Sequence, residues 1–298
     1  MQRNAFGQIV ASLRKERRDP LTGRPWTQEQ LASASRLSLR VIANLEQGKK
    51  AILDGAMLEN LASALQLTTL ERREFFTLAI DLEDGIASAP LYDVTAADAE
   101  LLELFAGLHQ PAFLYDDYFD ILAANHAALM LHAIEPGWLQ SLAGENERPN
   151  FLHVIFALDS PMRRSMQAGW RTLALRNLHQ FRAMTLRHRH TARWHDLMAQ
   201  LRMLPDFSAY WEETHFSQAD IYSRLRQHHY VHPHVGEVRY AVMANTVYRP
   251  VVHRHLTVLL PLDEHTFAVF AALREKSGGG FLKWSIQTPE PIFPGRLR

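Results

Sequence analysis

Apolar residues recur at helical spacing through the first eighty positions. Phe6, Ile9, Val10 and Leu13 fall on one face, which predicts a helix over 5–17. "RRDPLTGRP" interrupts it with Asp-Pro, Gly and Pro. "TQEQLASA" follows, with Thr27 as N-cap and Gln30 three residues later, a capping-box spacing. Ser38 then caps "LRVIANLEQ", which stops at Gly48. Two further helices fit 56–65 and 69–80, making five short helices in all.

Beyond residue 80 the pattern changes. "DLEDGIASAPLYDV" is acidic and loop-like, and "TAADAELLELFAGL" is helical. "PAFLYDDYFDILAAN" reads as two short strands around an Asp-Asp turn. "NHAALMLHAI" is helical, and 160–203 is a long helical stretch with a break near 187–192. "VGEVRYAVMANTVY" and "RHLTVLLPL" carry β-branched and aromatic residues in partial alternation, hence strands. "SGGGFLKWSIQTPEPIFPGRLR" is rich in Gly and Pro and predicts an extended tail. The expected class is α+β: an all-α five-helix domain at 1–80, a linker and connecting helix at 81–109, an α+β domain at 110–275 and a tail at 276–298.

The net formal charge is zero, yet residues 1–50 hold ten Lys/Arg and four Asp/Glu, a local excess of 10 − 4 = +6. That asymmetry points to a polyanionic partner for one end. The 298-residue chain has no cysteine, which excludes disulfides, thiolate metal sites and a thiol nucleophile. A reducing cytoplasm is the expected setting. No apolar run has signal-peptide or membrane-span character.

The stretch "WTQEQLASASRLSLRVIANLEQGKK" resembles the helix-turn-helix of Xre/lambda-repressor-like regulators. The matching positions are Thr27, Gln28, Glu29, Leu31, Ala32, Ser38, Ile42, Leu45, Glu46, Gly48 and Lys49. The resemblance implies that Leu31, Ile42 and Leu45 pack two helices together and that the second enters the major groove of double-stranded DNA. It puts Leu39, Arg40 and Asn44 at base edges, with Arg40 suited to guanine and Asn44 to adenine. Thr27 and Ser38 cap the two helices, Gln28 would touch a phosphate, and Lys49 and Lys50 would add charge contacts. Arg36 stands where the family usually has a turn glycine, so a side-chain-bearing residue is expected at positive φ. Two-fold homodimers fit half-sites one helical turn apart.

Further on, "LENLASALQLTTLERREFFTLA", "ILAAN", "RPNFLHVIF", "MQAGW", "FSAYWEETHF" and "HPHVGE" occur in an order that resembles the MmyB-like regulators. In these an Xre-type domain is fused to a PAS-like ligand-binding domain, an antiparallel sheet covered by helices. The resemblance implies that the His-Pro…Val-Gly element, here His232, Pro233 and Gly236, introduces a strand. His232 and His234 would then face one way, with His253 and His255 on a neighbouring strand. That makes a metal-sensing regulator one alternative, although no His-x-x-x-His pair on a predicted helix supports a catalytic metal and no resident metal is expected.

The second domain is rich in large apolar groups. Phe113, Tyr115, Asn125, Phe151, Phe156, Trp170, Trp211, Tyr230 and Tyr240 are the expected lining of a cleft between sheet and helices. There is no Gly-rich phosphate loop, Ser/His/Asp order or acid pair, so no catalytic residue and no obligatory cofactor are expected. An apolar small-molecule effector fits best, a fatty acid above all. The alternatives are a domain used only for dimerisation or protein partners, or an enzyme with a DNA-binding appendage.

Overall fold

The computed structural model describes residues 2–49, 53–81, 94–143, 148–215, 227–232, 234–247 and 253–284. In chain order the helices are α1 (Gln2–Glu16), α2 (Gln28–Ser35), α3 (Leu39–Glu46), α4 (Gly55–Ala64), α5 (Thr69–Asp81), α6 (Val94–Ala106), α7 (His126–Leu131), α8 (Pro136–Ser141), α9 (Phe151–Phe156), α10 (Pro161–Met166), α11 (Trp170–Met184), α12 (Ala192–Arg202), α13 (Phe207–Glu213) and α14 (Glu264–Lys276). The strands are β1 (Ala112–Asp116), β2 (Ile121–Asn125), β3 (Gln227–His232), β4 (Gly236–Val247), β5 (Arg254–Pro261) and β6 (Phe281–Lys283). The α+β class expected from the sequence is the class observed. The long helical stretch breaks at Leu186–His188, as its pattern predicts, and also at Gln167–Gly169, which the pattern does not show.

The chain packs as two compact units, each made of two segments. Met1–Ser88 packs with Leu175–Ile221, and Ala89–Ala174 packs with Tyr222–Arg298. The helical segment 175–221, grouped with the second domain on sequence, thus belongs by packing to the first unit.

In that first unit the helical stripes meet in one core: Phe6, Ile9, Val10, Leu13, Leu31, Ile42, Leu45, Leu61 and Phe75, joined by Leu186 from the later segment. Gly7 lets α1 and α3 approach closely. A Cβ there would lie 2.3 Å from the Leu45 carbonyl oxygen. Polar groups are buried in the same unit. Thr68 and Glu71 form a capping box at the start of α5: the Thr68 N–H donates to Glu71 Oε2 at 2.9 Å and the Glu71 N–H to Thr68 Oγ1 at 3.4 Å. The other oxygen, Glu71 Oε1, accepts from Arg182 Nε at 3.1 Å and Arg189 Nη2 at 2.5 Å. Arg189 also donates to Glu16 Oε2 at 2.6 Å. Both guanidiniums face the Trp211 ring, Arg182 at 4.3 Å and Arg189 at 5.7 Å, and Arg189 also faces Trp194 at 5.1 Å. Burial pushes the Glu71 carboxyl up, but the two arginine charges and the Thr68 hydrogen bonds outweigh it and hold its pKa at about 2.

The second unit is a six-stranded sheet in the order β3-β4-β5-β1-β2-β6, with every neighbouring pair antiparallel. Strands β1 and β2 are buried along their whole length, so they read as apolar runs and not as clean alternation. Alternate residues serve opposite faces. Ala112, Leu114 and Leu122 meet Leu101 and Phe105 of α6, while Phe113 and Tyr115 meet Phe151. A buried bidentate pair, Arg254 to Asp98 at 3.0 and 2.7 Å, ties α6 to β5. The β1–β2 turn is organised by Asp116, whose Oδ1 accepts from the Tyr118 and Asp120 N–H groups.

Two expectations change here. The His-Pro…Val-Gly element does not simply introduce a strand: His232 closes β3, Gly236 opens β4 at φ +79°, and the two pair across the hairpin. Pro233 lies outside the described residues. The tail is not wholly extended loop, because Phe281–Lys283 adds to the sheet edge as β6 alongside β2. Gly280 makes that possible, since a Cβ there would meet the His126 ring at 2.9 Å. Residues 285–298 lie outside the described residues.

Candidate nucleic-acid interface and effector-binding unit

The helix-turn-helix is α2, a three-residue turn and α3. Thr27 caps α2: its hydroxyl accepts the Gln30 N–H at 3.2 Å, and its own N–H donates to Gln30 Oε1 at 2.8 Å. Arg36 stands at φ +55°, the left-handed residue that ends α2. Ser38 Oγ then accepts the Val41 N–H at 3.3 Å and starts α3. Leu31 and Ile42 are fully buried and Leu45 nearly so, which fixes one helix against the other.

This orientation leaves Leu39 43% exposed, with Arg40 and Lys49 exposed and Asn44 half-buried. Lys50 lies outside the described residues. Gln28 is placed differently from a free phosphate ligand: its amide donates to Glu46 Oε2 at 2.8 Å. Glu46 is a hub. It also accepts from Arg14 Nε at 2.7 Å and Arg14 Nη2 at 2.9 Å, so one carboxylate joins α1, α2 and α3. Its place in "LEQGK" was legible, but its partner Arg14, 32 residues away, was not.

The expected ligand-lining residues fall into three groups. Phe113, Tyr115 and Phe151 cluster on one sheet face, with ring centroids 5.1 Å apart for Phe113–Phe151 and 6.1 Å for Tyr115–Phe151. Phe156 and Trp170 meet edge-on at 5.6 Å, and Trp170 donates its indole N–H to the Ile155 carbonyl. Tyr240 packs against Phe270. The structure does not bring Trp211 to these residues. It belongs to the first unit, stacked on Phe207 and beside Trp194. Asn125 is a structural cap, its Oδ1 accepting from the Ala112 and Ala128 N–H groups and its amide donating to the Gln110 carbonyl. The Tyr230 side chain is outside what the structure describes.

The histidines are dispersed. His232 ends β3 and His234 lies in the β3–β4 turn, where the His234 N–H donates to His232 Nδ1 at 3.1 Å. His229 pairs with exposed Glu237 at 2.8 Å. His255 and His253 approach Asp117 at 2.7 and 3.4 Å. β4 lies between β3 and β5, and His232 pairs with Gly236 at one end of β4 while His255 pairs with Thr246 ten residues further along it, so the two histidines stand roughly 30 Å apart. Among the described residues no group of three or more His, Asp or Glu is placed to hold a metal ion.

A family model for a helix-turn-helix matches residues 24–72, and one for the MmyB-like transcription regulator ligand binding domain matches residues 97–273. The chain belongs to the MmyB-like transcription regulators. It is a DNA-binding regulator with a ligand-binding domain. No curated protein matches the chain. The match at 97–273 runs through segment 175–221, so in this regulator the family boundary and the packing boundary do not coincide. Among the described residues no helix is long and apolar enough to cross a membrane.

One concavity in the regulator's second unit has the chemistry of an amphiphile site. It encloses about 430 Å³ and is lined by residues that include Pro261, Phe267, Phe270, Ala271 and Arg274. Phe267 is 61% exposed, unusual for a side chain of its size. None of the lining residues expected from sequence reaches this groove. Neither Phe267 nor Arg274 was expected from the sequence, because a Phe seven positions before an Arg is a weak signal.

Proposed function

We propose that the regulator binds a two-fold operator as a homodimer through α3, and that a fatty acid held by its PAS-like domain sets operator affinity. In this reading residues 1–80 carry the DNA contacts, 81–109 connect, 110–275 hold the effector, and 276–298 form the tail. The observation that carries the effector class is the α14 groove, with Phe267, Phe270, Ala271 and Pro261 for an acyl chain and Arg274 for its carboxylate. Of the aromatic residues expected to line a cleft, Tyr240 backs the groove through Phe270, while Phe113, Tyr115 and Phe151, and Phe156 with Trp170, form clusters of their own. Arg40 and Asn44 read bases, Leu39 touches a thymine methyl, and Lys49 and Lys50 meet phosphates. The domain works by binding and not by turnover.

A coupling of about 1–3 kcal/mol suffices, since it changes DNA affinity about 5–150-fold. The test is a thermal-shift series with saturated fatty acids of medium to long chain. About 100-fold excess over Kd should add about 2.7 kcal/mol of stability, and Arg274→Gln should remove most of the shift. An unchanged melting point across the series would reassign the domain to dimerisation or protein partners.

A further inference from the structure

A second concavity lies wholly within the first unit, apart from the groove on α14. It encloses about 540 Å³ between one face of α1 (Gln8, Ala11, Ser12, Lys15) and one face of α12 (Trp194, His195, Met198, Ala199, Arg202). Glu16, Arg18, Pro25 and His190 complete the lining. Trp194 and Met198 are buried and present apolar surface, while Lys15, His195, Ala199 and Arg202 are exposed. The size is that of a small-molecule site.

The charges are the informative feature. Five arginines elsewhere in this unit are matched, Arg14 with Glu46, Arg72 with Glu59, Arg187 with Glu74, and Arg182 and Arg189 with Glu71, whereas Arg36 and Arg40 of the helix-turn-helix are exposed. Lys15, Arg18 and Arg202 all line the groove, and among the described residues none has a carboxylate partner. Its one acid, Glu16, is already committed through Oε2 to Arg189 at 2.6 Å. Three cations against that one carboxylate leave the groove at +2, before either histidine is protonated. Glu16 Oε1 is buried without a hydrogen-bond partner, and such a group is stabilised by a ligand that supplies one.

The geometry points to a binding site for a small aromatic acid in this α1–α12 groove: its ring over Trp194 and Met198, its carboxylate on Lys15, Arg18 and Arg202, and a hydroxyl or amino substituent for Glu16. A long acyl chain fits less well, because the open side of the groove would leave its methylenes in water. The site adjoins the DNA-reading helices by short covalent and polar steps. Arg14, next to Lys15, holds Glu46 on α3, so an anion drawing on α1 acts one residue from the hub of the helix-turn-helix.

Isothermal titration of the full chain with benzoate, 4-hydroxybenzoate, 2-naphthoate, decanoate and inorganic phosphate tests it. Saturable binding of the aromatic acids is expected, with 4-hydroxybenzoate ahead of benzoate. The surface variant Lys15→Gln/Arg202→Gln should weaken it about tenfold or more, the loss expected for charge-assisted contacts. Ala199→Phe, which fills the groove from an exposed position, should abolish it, and Arg274→Gln should leave it unchanged. Failure to saturate with any aromatic acid at millimolar concentration overturns the site. So does binding that survives Ala199→Phe, or a double variant whose only effect is a shallower salt dependence of DNA binding, which would make these cations part of the DNA footprint.

Discussion

Arg40 and Lys49 are both exposed cations beside α3, yet they meet different parts of a duplex. A guanidinium near the start of a helix in the major groove can bond one base edge in bidentate fashion, whereas an ammonium past its end meets phosphate. Arg40→Ala should therefore lose about 1–3 kcal/mol and relax discrimination at one base position, while Lys49→Ala should weaken all sequences alike and reduce the salt slope by about 1. Fluorescence anisotropy on an operator and its single-base variants, at several salt concentrations, separates the two. Wild-type behaviour from both variants would refute this docking. Arg36 poses a stability question at the same scale. Its φ of +55° costs a side-chain-bearing residue about 1 kcal/mol, partly offset in a glycine variant by the freer unfolded chain. Arg36→Gly should stabilise by about 0.5 kcal/mol in urea denaturation; a net loss would mean that the Arg36 side chain contributes a contact of its own.

Elements are held in place by carboxylates of very different worth. Glu59 pairs with Arg72 at the surface, and such pairs contribute about 0–1 kcal/mol. Glu71 is fully buried and meets two guanidiniums that are themselves almost wholly buried. Replacing it removes the carboxylate partner of Arg182 and leaves Arg189 with Glu16 alone, a loss of roughly 3–5 kcal/mol. Glu71→Gln should thus lower the denaturation midpoint sharply while Glu59→Gln barely moves it, and equal effects would contradict the burial described. The local half of Glu71's role was legible: Thr68-x-x-Glu71 is a capping box by spacing alone. The other half was not, because Arg182 and Arg189 stand 111 and 118 residues away, one on α11 and the other in the turn before α12.

At the scale of the whole molecule, the first unit should be acid-sensitive. His179 and His215 are pushed down to about 4, first by burial and then by the charge of Arg182, with Glu71 opposing. Both are neutral in the folded chain, whereas in the unfolded chain they take up protons near the usual histidine value of about 6.5. The stability they support is therefore complete above pH 6.5 or so and is lost as pH falls towards about 4. Discounted for partial exposure, the two together should remove on the order of 2–4 kcal/mol over that window. Glu71, held at about 2, should add its own loss only below about pH 4.5. Urea midpoints measured from pH 7 to pH 4 check this, and a flat profile for the wild type would refute it.

Short-range chemistry was readable in the chain itself. Caps at Thr27 and Ser38, the positive φ at Arg36 and the stripe of Leu31, Ile42 and Leu45 depend on residues three or four apart. Their spacing fixes the helix-turn-helix, and the strand-turn-strand of "FLYDDYFDILAAN" follows the same logic. What only the tertiary structure decided is which segments meet. Nothing local told Trp211 to pack with Trp194 and Phe181 and not with Phe113, or sent segment 175–221 to the first unit. An aromatic at helical spacing is buried by whatever apolar face closes on it, and periodicity is blind to which face that is. The dispersed histidines have the same cause. Alternation along β3 and β5 could not show that β4 lies between them, because strand order is set by packing the whole sheet and not by any strand's own sequence.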